Sequence, residues 1–243
     1  MAEKAGLCAM LVCALLVCRA QTSTRVVDVT GRIQLEDGAT NRKITNVSDA
    51  VVWLDPAQRA EVATPPPSGH NDHLRLEQHN KSFEPSLLVV PVGSVVEFPN
   101  RDPFFHNVFS LFEGKRFDLG LYEAGLTRNV VFDRPGISYI FCNIHPEMSA
   151  VVIALETPYY GVSNPRGEVL IRSVPAGRYV IHVWHQSSLP ETLNGLTREV
   201  AISQSEPSLG VIRVAETTLQ NHKNKYGRDY DPSAPTSPVY QRP

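Results

Sequence analysis

Glycine and proline recur about every ten residues through the body of this chain, and the apolar runs between them are short and rich in Val and Ile. Proline inside a helix removes a backbone hydrogen bond and clashes with the preceding turn, so punctuation this dense leaves little room for long helices. It favours strands joined by turns. Ten runs read as strands: "TRVVDVTGRIQL" (24–35), "DAVVWLD" (49–55), "SLLVVPVGSVVEF" (86–98), "NVVFD" (129–133), "ISYIFC" (137–142), "AVVIAL" (150–155), "GEVLIRSV" (167–174), "GRYVIHVWH" (177–185), "REVAIS" (198–203) and "LGVIRVAE" (209–216). No long amphipathic helix is evident. Only "AQRAEVA" (57–63) suggests a short helical turn, which "TPPPSG" then stops. The expected fold class is all-β, built from sandwiches.

The first twenty residues, "MAEKAGLCAMLVCALLVCRA", have a lysine followed by an apolar run too short to span a bilayer comfortably, and small residues where a signal peptidase reads. They predict a secretory signal peptide over 1–20 and a periplasmic or secreted protein. Cleavage after Ala20 would remove Cys8, Cys13 and Cys18 and leave Cys142 as the one thiol. An exported protein with a single cysteine does not build a disulfide framework; it buries that thiol or uses it. The net charge of −2, without a Lys/Arg cluster, argues against nucleic acid as a partner. No later segment is long and apolar enough to predict a membrane span.

Two joints divide the remainder. "TPPPSGHNDH" (64–73) closes an N-terminal β segment over 21–75, and "ETPYYGVSNPRG" (156–167) separates two groups of strands, 76–156 and 157–216. From 217 to 243 the composition is polar, cannot bury a core, and predicts a disordered tail.

The chemistry concentrates in "FCNIHPEMSA" (141–150). Cys142, His145 and Met148 follow one another at intervals of three, directly after a predicted strand, so one loop gathers a thiolate, an imidazole and a thioether. Soft sulfur ligands with imidazole suit copper, and a Cys with two His and a weak axial Met is the blue-copper arrangement. His106, in "PFFHNVFS" just after another strand and turn, can supply the second imidazole if a sandwich brings the two loops to one end. A lone Cys on an apolar strand is most often a small core residue. The His and Met at fixed spacing, with a second His upstream, favour the metal site.

"VGSVVEFPNRDPFFHNVFS" followed by "GISYIFCNIHPEM" resembles the cupredoxins, amicyanin and plastocyanin above all, over about residues 76–156. The resemblance implies a Greek-key β-sandwich with one type 1 copper held by His106, Cys142, His145 and Met148. It also implies that Asn107 helps tie the two ligand loops together near the cysteine sulfur, and that the ring of His145 reaches the surface as the electron port, with Ile144 and Pro146 in a small docking patch. "GEVLIRSVPAGRYVIHVWH" resembles the transthyretin-like, carboxypeptidase regulatory-like sandwiches, which are usually structural or binding parts. The whole chain is similar to bacterial secreted proteins labelled methylamine utilization proteins. Residues 25–55 look like the start of the second type of sandwich, in which case the cupredoxin region would be inserted within it; the sequence leaves both arrangements open.

Other histidines carry less. His182 and His185 point to opposite faces of a regular strand and would not share a metal. His70, His73 and His79 lie in or near the Pro-rich loop, where solvent is the expected surrounding. The reading that results is a non-enzymatic, single-electron carrier that meets a redox protein partner through a small, weak interface. The alternative is an envelope or carbohydrate-binding module, contacting glycan through the C-terminal β domain, in which the cupredoxin fold is only a scaffold. Multicopper catalysis would need His-x-His pairs, which the chain lacks.

Overall fold

The computed structural model describes residues 25–40, 42–58, 74–111, 114–217 and 222–230. The expected signal peptide, the Pro-rich loop with His70 and His73, and most of the expected helical turn at 57–63 lie outside the described residues.

Strands follow in the order β1 (Val26–Asp37), β2 (Val51–Pro56), β3 (Glu77–His79), β4 (Ser82–Glu84), β5 (Leu87–Pro91), β6 (Ser94–Pro99), β7 (His106–Ser110), β8 (Phe117–Tyr122), β9 (Thr127–Phe132), β10 (Gly136–Cys142), β11 (Ser149–Leu155), β12 (Tyr160–Val162), β13 (Glu168–Pro175) and β14 (Gly177–Trp184). A five-residue helix, α1 (Pro190–Asn194), precedes β15 (Arg198–Ile202) and β16 (Ser208–Glu216). The protein is all-β in character. No helix among the described residues is long and apolar enough to cross a membrane.

The sheets show where the N-terminal strands go. β1 lies between β13, antiparallel, and β16, parallel, in a three-stranded sheet. β2 lies between β12 and β14 in the four-stranded sheet β12-β2-β14-β15. Both N-terminal strands therefore pair with the C-terminal group, and residues 74–155 are threaded between them. These two sheets enclose one apolar core, in which Val29, Ile33, Leu54, Ile171, Ile181, Trp184 and Val214 are buried.

The intervening residues form a second unit. Its main sheet runs β5-β11-β10-β7-β8 and is faced by the β6-β9 pair, with β3-β4 as a small hairpin beside them. The run 86–98, read from sequence as one strand, is two. The chain leaves β5 at Pro91, turns through Gly93 at φ 92°, and enters β6 in the facing sheet. Val92 N–H donates to Leu155 O and Gly93 N–H to Phe132 O, so the corner is tied to both sheets.

Strand β11 joins the two units. Residues 150–155 are all buried, the pattern of a strand covered on both faces. Alternation sends Ala150, Val152 and Ala154 into the core of the 74–155 unit, while Val151, Ile153 and Leu155 enter the core of the other. β10 alternates likewise: Ile140 and Cys142 face inward, whereas Ile137 and Tyr139 pack on the second core. The Trp184 indole N–H donates to Tyr139 Oη across that seam, at 3.3 Å.

Candidate metal centre

Three chain segments converge at one end of the 74–155 unit. β10 ends at Cys142, whose inward register puts its thiol in the core. The following loop turns back immediately, because Met148 N–H donates to His145 O and Cys142 N–H to Met148 O, both at 3.2 Å. β7 starts at His106 and pairs with β10 through Val108 and Cys142. Asn143 N–H donates to Asn107 O at 2.9 Å, which fastens the loop to β7.

The result is a compact triad. Cys142 Sγ lies 3.6 Å from His106 Nδ1 and 3.6 Å from His145 Nδ1, and the two nitrogens are 3.2 Å apart. His106 and Cys142 are fully enclosed, and His145 is 3% exposed. Asp102 fixes the tautomer of His106: its Oδ2 is 2.9 Å from His106 Nε2. Burial pushes the Asp102 carboxyl up, but hydrogen bonds from the Lys81 N–H, His106 and the Asn80 N–H outweigh it and hold the group below the usual carboxylate range. A carboxylate can only accept, so the His106 proton sits on Nε2 and Nδ1 presents a bare lone pair.

These donors fit a metal ion. Two imidazole nitrogens and a sulfur at these separations leave room for one ion about 2.0–2.3 Å from each. Two ring nitrogens facing each other at 3.2 Å otherwise need a shared proton. Burial depresses the basicity of both histidines; for His145, with the neighbouring His106 adding to burial, the pKa falls to about 4. Both rings are thus neutral and ready to ligate near pH 7. Burial raises the Cys142 thiol pKa, opposed by backbone N–H groups of Asn107, Ile144 and His145 directed at the sulfur.

Met148 is also fully buried, in the same core cluster as Cys142. Asn107 ties the loops through its main chain, while its side-chain amide turns away and donates to Asp118 Oδ1 at 2.7 Å.

Two expectations are corrected. His145 does not reach the surface: the Phe104 ring lies 5.5 Å from it and 5.3 Å from His106, laid across both. Nor do residues 222–230 behave as their polar composition suggests. His222 Nε2 lies 2.6 Å from Pro146 O, and its ring stacks on Phe141 at 4.1 Å. Lys225 N–H donates to Asn143 Oδ1 at 3.0 Å and its ammonium to Asp118 Oδ2 at 2.8 Å, while Tyr230 Oη–H donates to the Cys142 carbonyl at 2.7 Å. Specific hydrogen bonds to the 143–146 loop and ring stacking on Phe141 hold a stretch of largely polar composition in place.

Sequence reasoning also missed Asn100, Asp102 and Phe104. Buried Asn100 accepts from Asp102 N–H at 3.0 Å and donates to Phe104 O at 2.8 Å, so one side chain shapes the loop that presents both. The Asn-x-Asp spacing in "PNRDPFF" was the available signal, since such side chains build local turns. Elsewhere, His182 stacks on Trp53 and approaches Asp55 at 3.2 Å on the outer face of the four-stranded sheet, whereas His185 is buried, and His79 is exposed. None of these joins the triad.

No protein-family model and no curated protein matches the sequence. Among solved structures, a copper-containing nitrite reductase from Thermus scotoductus SA-01 is 26% identical over 35% of this chain and 22% of its own, with TM-score 0.33, so this chain spans under a quarter of that enzyme. A purple cupredoxin from Nitrosopumilus maritimus is 28% identical over 31% of this chain and 84% of its own, with TM-score 0.29. A reduced mutant of amicyanin is 21% identical over 44% of this chain and 99% of its own, with TM-score 0.33.

Proposed function

We propose that this protein is a one-electron carrier that holds a single type 1 copper between His106, Cys142 and His145, with Met148 as the weak axial ligand. The observation that carries this reading is the closed triad: one thiol and two neutral imidazoles, all nine-tenths or more buried, with ligating atoms 3.2–3.6 Å apart. Copper bound there would supply reversible exchange of one electron. Two contacts keep the site rigid: the Asp102 carboxylate holds the His106 ring, and the backbone hydrogen bond from Asn143 N–H to Asn107 O locks the loops together. Rigid, closed coordination suits electron transfer, because the geometry need not change between oxidation states. It offers no exposed position at which a substrate could bind, which weighs against an enzyme.

A redox protein partner follows from that role. Its docking face would lie over Phe104 and Pro146, close to the two histidines. Residues 1–20 support export to the periplasm or beyond.

The decisive experiment is a visible spectrum of the mature protein after copper(II) addition, with Cys142→Ser beside it. An intense blue thiolate-to-copper band in the wild type, absent in the variant, is the expected result. A colourless wild type, or a blue variant, would overturn the reading.

A further inference from the structure

The β3–β4 hairpin reaches the metal site through Asp102, although neither sequence pattern nor ligand set points to it. The two central residues of its turn, Asn80 and Lys81, have φ of 52° and 54°. That left-handed pair is the geometry of a type I′ turn, which usually places glycine second. A lysine there costs roughly 1 kcal/mol in backbone strain. Both of their amides point at one carboxylate: Asn80 N–H donates to Asp102 Oδ1 at 2.6 Å and Lys81 N–H to Asp102 Oδ2 at 2.9 Å. Asp102 is 3% exposed and spends its remaining capacity on His106 Nε2. The Lys81 ammonium, 5.8 Å from the centre of the Phe104 ring, stands on the outer side of the aromatic lid that covers both histidines.

We propose that Asp102, clamped by this hairpin, is a positioning residue that sets the metal site's charge and so lowers its reduction potential, with Lys81 as a weaker opposing charge. The inference rests on the copper reading above. Copper(II), one thiolate and one carboxylate sum to zero. Adding one electron makes copper(I) and leaves a net charge of −1 in a buried place, with no proton taken up. A buried uncompensated charge is costly, so the carboxylate favours the oxidised ion. Its hydrogen bond to Nε2 acts in the same direction, since electron density pushed into the His106 ring strengthens its donation to the more positive ion. Lys81 favours the reduced ion, but it is only half-buried and solvent weakens its field.

The test compares wild type, Asp102→Asn and Lys81→Gln as purified copper proteins. The visible spectrum is read first, and then a spectroelectrochemical titration. Asn removes the charge while keeping the size, so Asp102→Asn is expected to retain the blue band and raise the potential. The expected shift is at least a tenfold change in the copper(II)-to-copper(I) affinity ratio, about 59 mV for one electron. Lys81→Gln is expected to move it the other way, and by less. A blue Asp102→Asn protein at the wild-type potential, or both variants shifting in one direction, would overturn the inference. A second measurement needs no copper: nitrogen-15 spectra of the His106 ring in the metal-free protein should show the proton on Nε2. A proton on Nδ1 would overturn the role of Asp102 whether or not copper binds. A colourless wild type with the proton on Nε2 would instead count against the copper reading alone.

Discussion

The two units of this molecule handle buried polarity in opposite ways. The unit built from β1, β2 and β12–β16 is an apolar sandwich whose buried polar side chains, Thr157, Ser163, His185 and Ser188, are scattered. All four bond main-chain groups nearby: Thr157 Oγ1 donates to Leu54 O, Ser188 Oγ donates to Ala215 O, Ser163 Oγ accepts from Ala50 N–H, and His185 Nδ1 accepts from Ser187 N–H. The 74–155 unit gathers Asn100, Asp102, His106, Asn107 and His145 at one end, all buried. Burying polar groups costs free energy unless each finds a partner, so such a concentration persists only where a connected network satisfies it. Here the network runs from the hairpin amides through Asp102 and His106 to Cys142 and His145 Nδ1, and among the described residues it leaves buried His145 Nε2 without a hydrogen-bond partner. The first unit is a packing solution; the second gives up part of its core to hold a buried thiol beside two imidazoles.

The largest test of that contrast falls on the strand the units share. Ile153 belongs to β11 in the sheet of the metal-site unit, yet its side chain is buried in the other core. Ile153→Ala removes three methylene-sized groups from a site with no exposure and is expected to cost about 2–5 kcal/mol. Trp53 packs against the apolar sandwich away from the seam, so in a Trp184→Phe background its fluorescence reports that unit, and the blue band of the proposed copper site would report the other. The expected outcome is a lower urea midpoint at which both signals still change together, because β11 couples the cores. Two separated transitions would mean that the units are independent and merely adjacent.

Acid sharpens the comparison. The folded pKa of His145, about 4, lies below the ordinary value of 6.5 for an unfolded chain, chiefly through burial, and that of His106 is lowered for the same reason. Between those values the unfolded chain binds more protons than the native state, so stability present above pH 6.5 is lost as pH falls toward 4. For His145 the loss is up to about 3 kcal/mol in the metal-free protein. Urea midpoints measured at pH 7.5 and 5.0 should fall with pH, and His145→Gln should flatten the slope. An unchanged slope would mean that acid acts elsewhere, with buried His185 of the apolar sandwich the next candidate.

Much of this was legible in the sequence, for identifiable reasons. "AVVIAL" is apolar without alternation, the signature of a strand buried on both faces, and Cys142, His145 and Met148 sit close together because a tight loop leaves them no alternative. The short strands β3, β4 and β12 have three residues each, too few to show a period. β7 escaped for another reason: "HNVFS" is buried at every position, polar residues included, so it carries no apolar pattern to recognise. The destination of β1 and β2 was open because pairing across more than a hundred residues is decided by tertiary packing. Asp102 and Tyr230 were invisible as site residues since each acts through hydrogen bonds to partners that only the fold supplies.

Tyr230 gives the smallest and most discriminating effect. It reaches the metal-site unit from a segment belonging to neither sandwich, and its hydroxyl meets the carbonyl of the cysteine itself, at 2.7 Å. Burial pushes the phenol pKa up, so it remains a neutral donor throughout the working range. Tyr230→Phe deletes that hydrogen bond and the longer 3.4 Å contact of the same hydroxyl with His222 Nδ1, together worth about 1 kcal/mol, or a Tm decrease of about 2–4 °C for a chain of this size. If the network of the 74–155 unit alone shapes the site, the blue band should keep its wavelength and intensity. Limited proteolysis should meanwhile cut within residues 222–230 faster than in the wild type, because His222 and Lys225 are left to hold the segment. A shifted band would show that the Cys142 carbonyl, and through it the sulfur, depends on the segment. The boundary of the functional unit would then have to be redrawn to include residues 222–230.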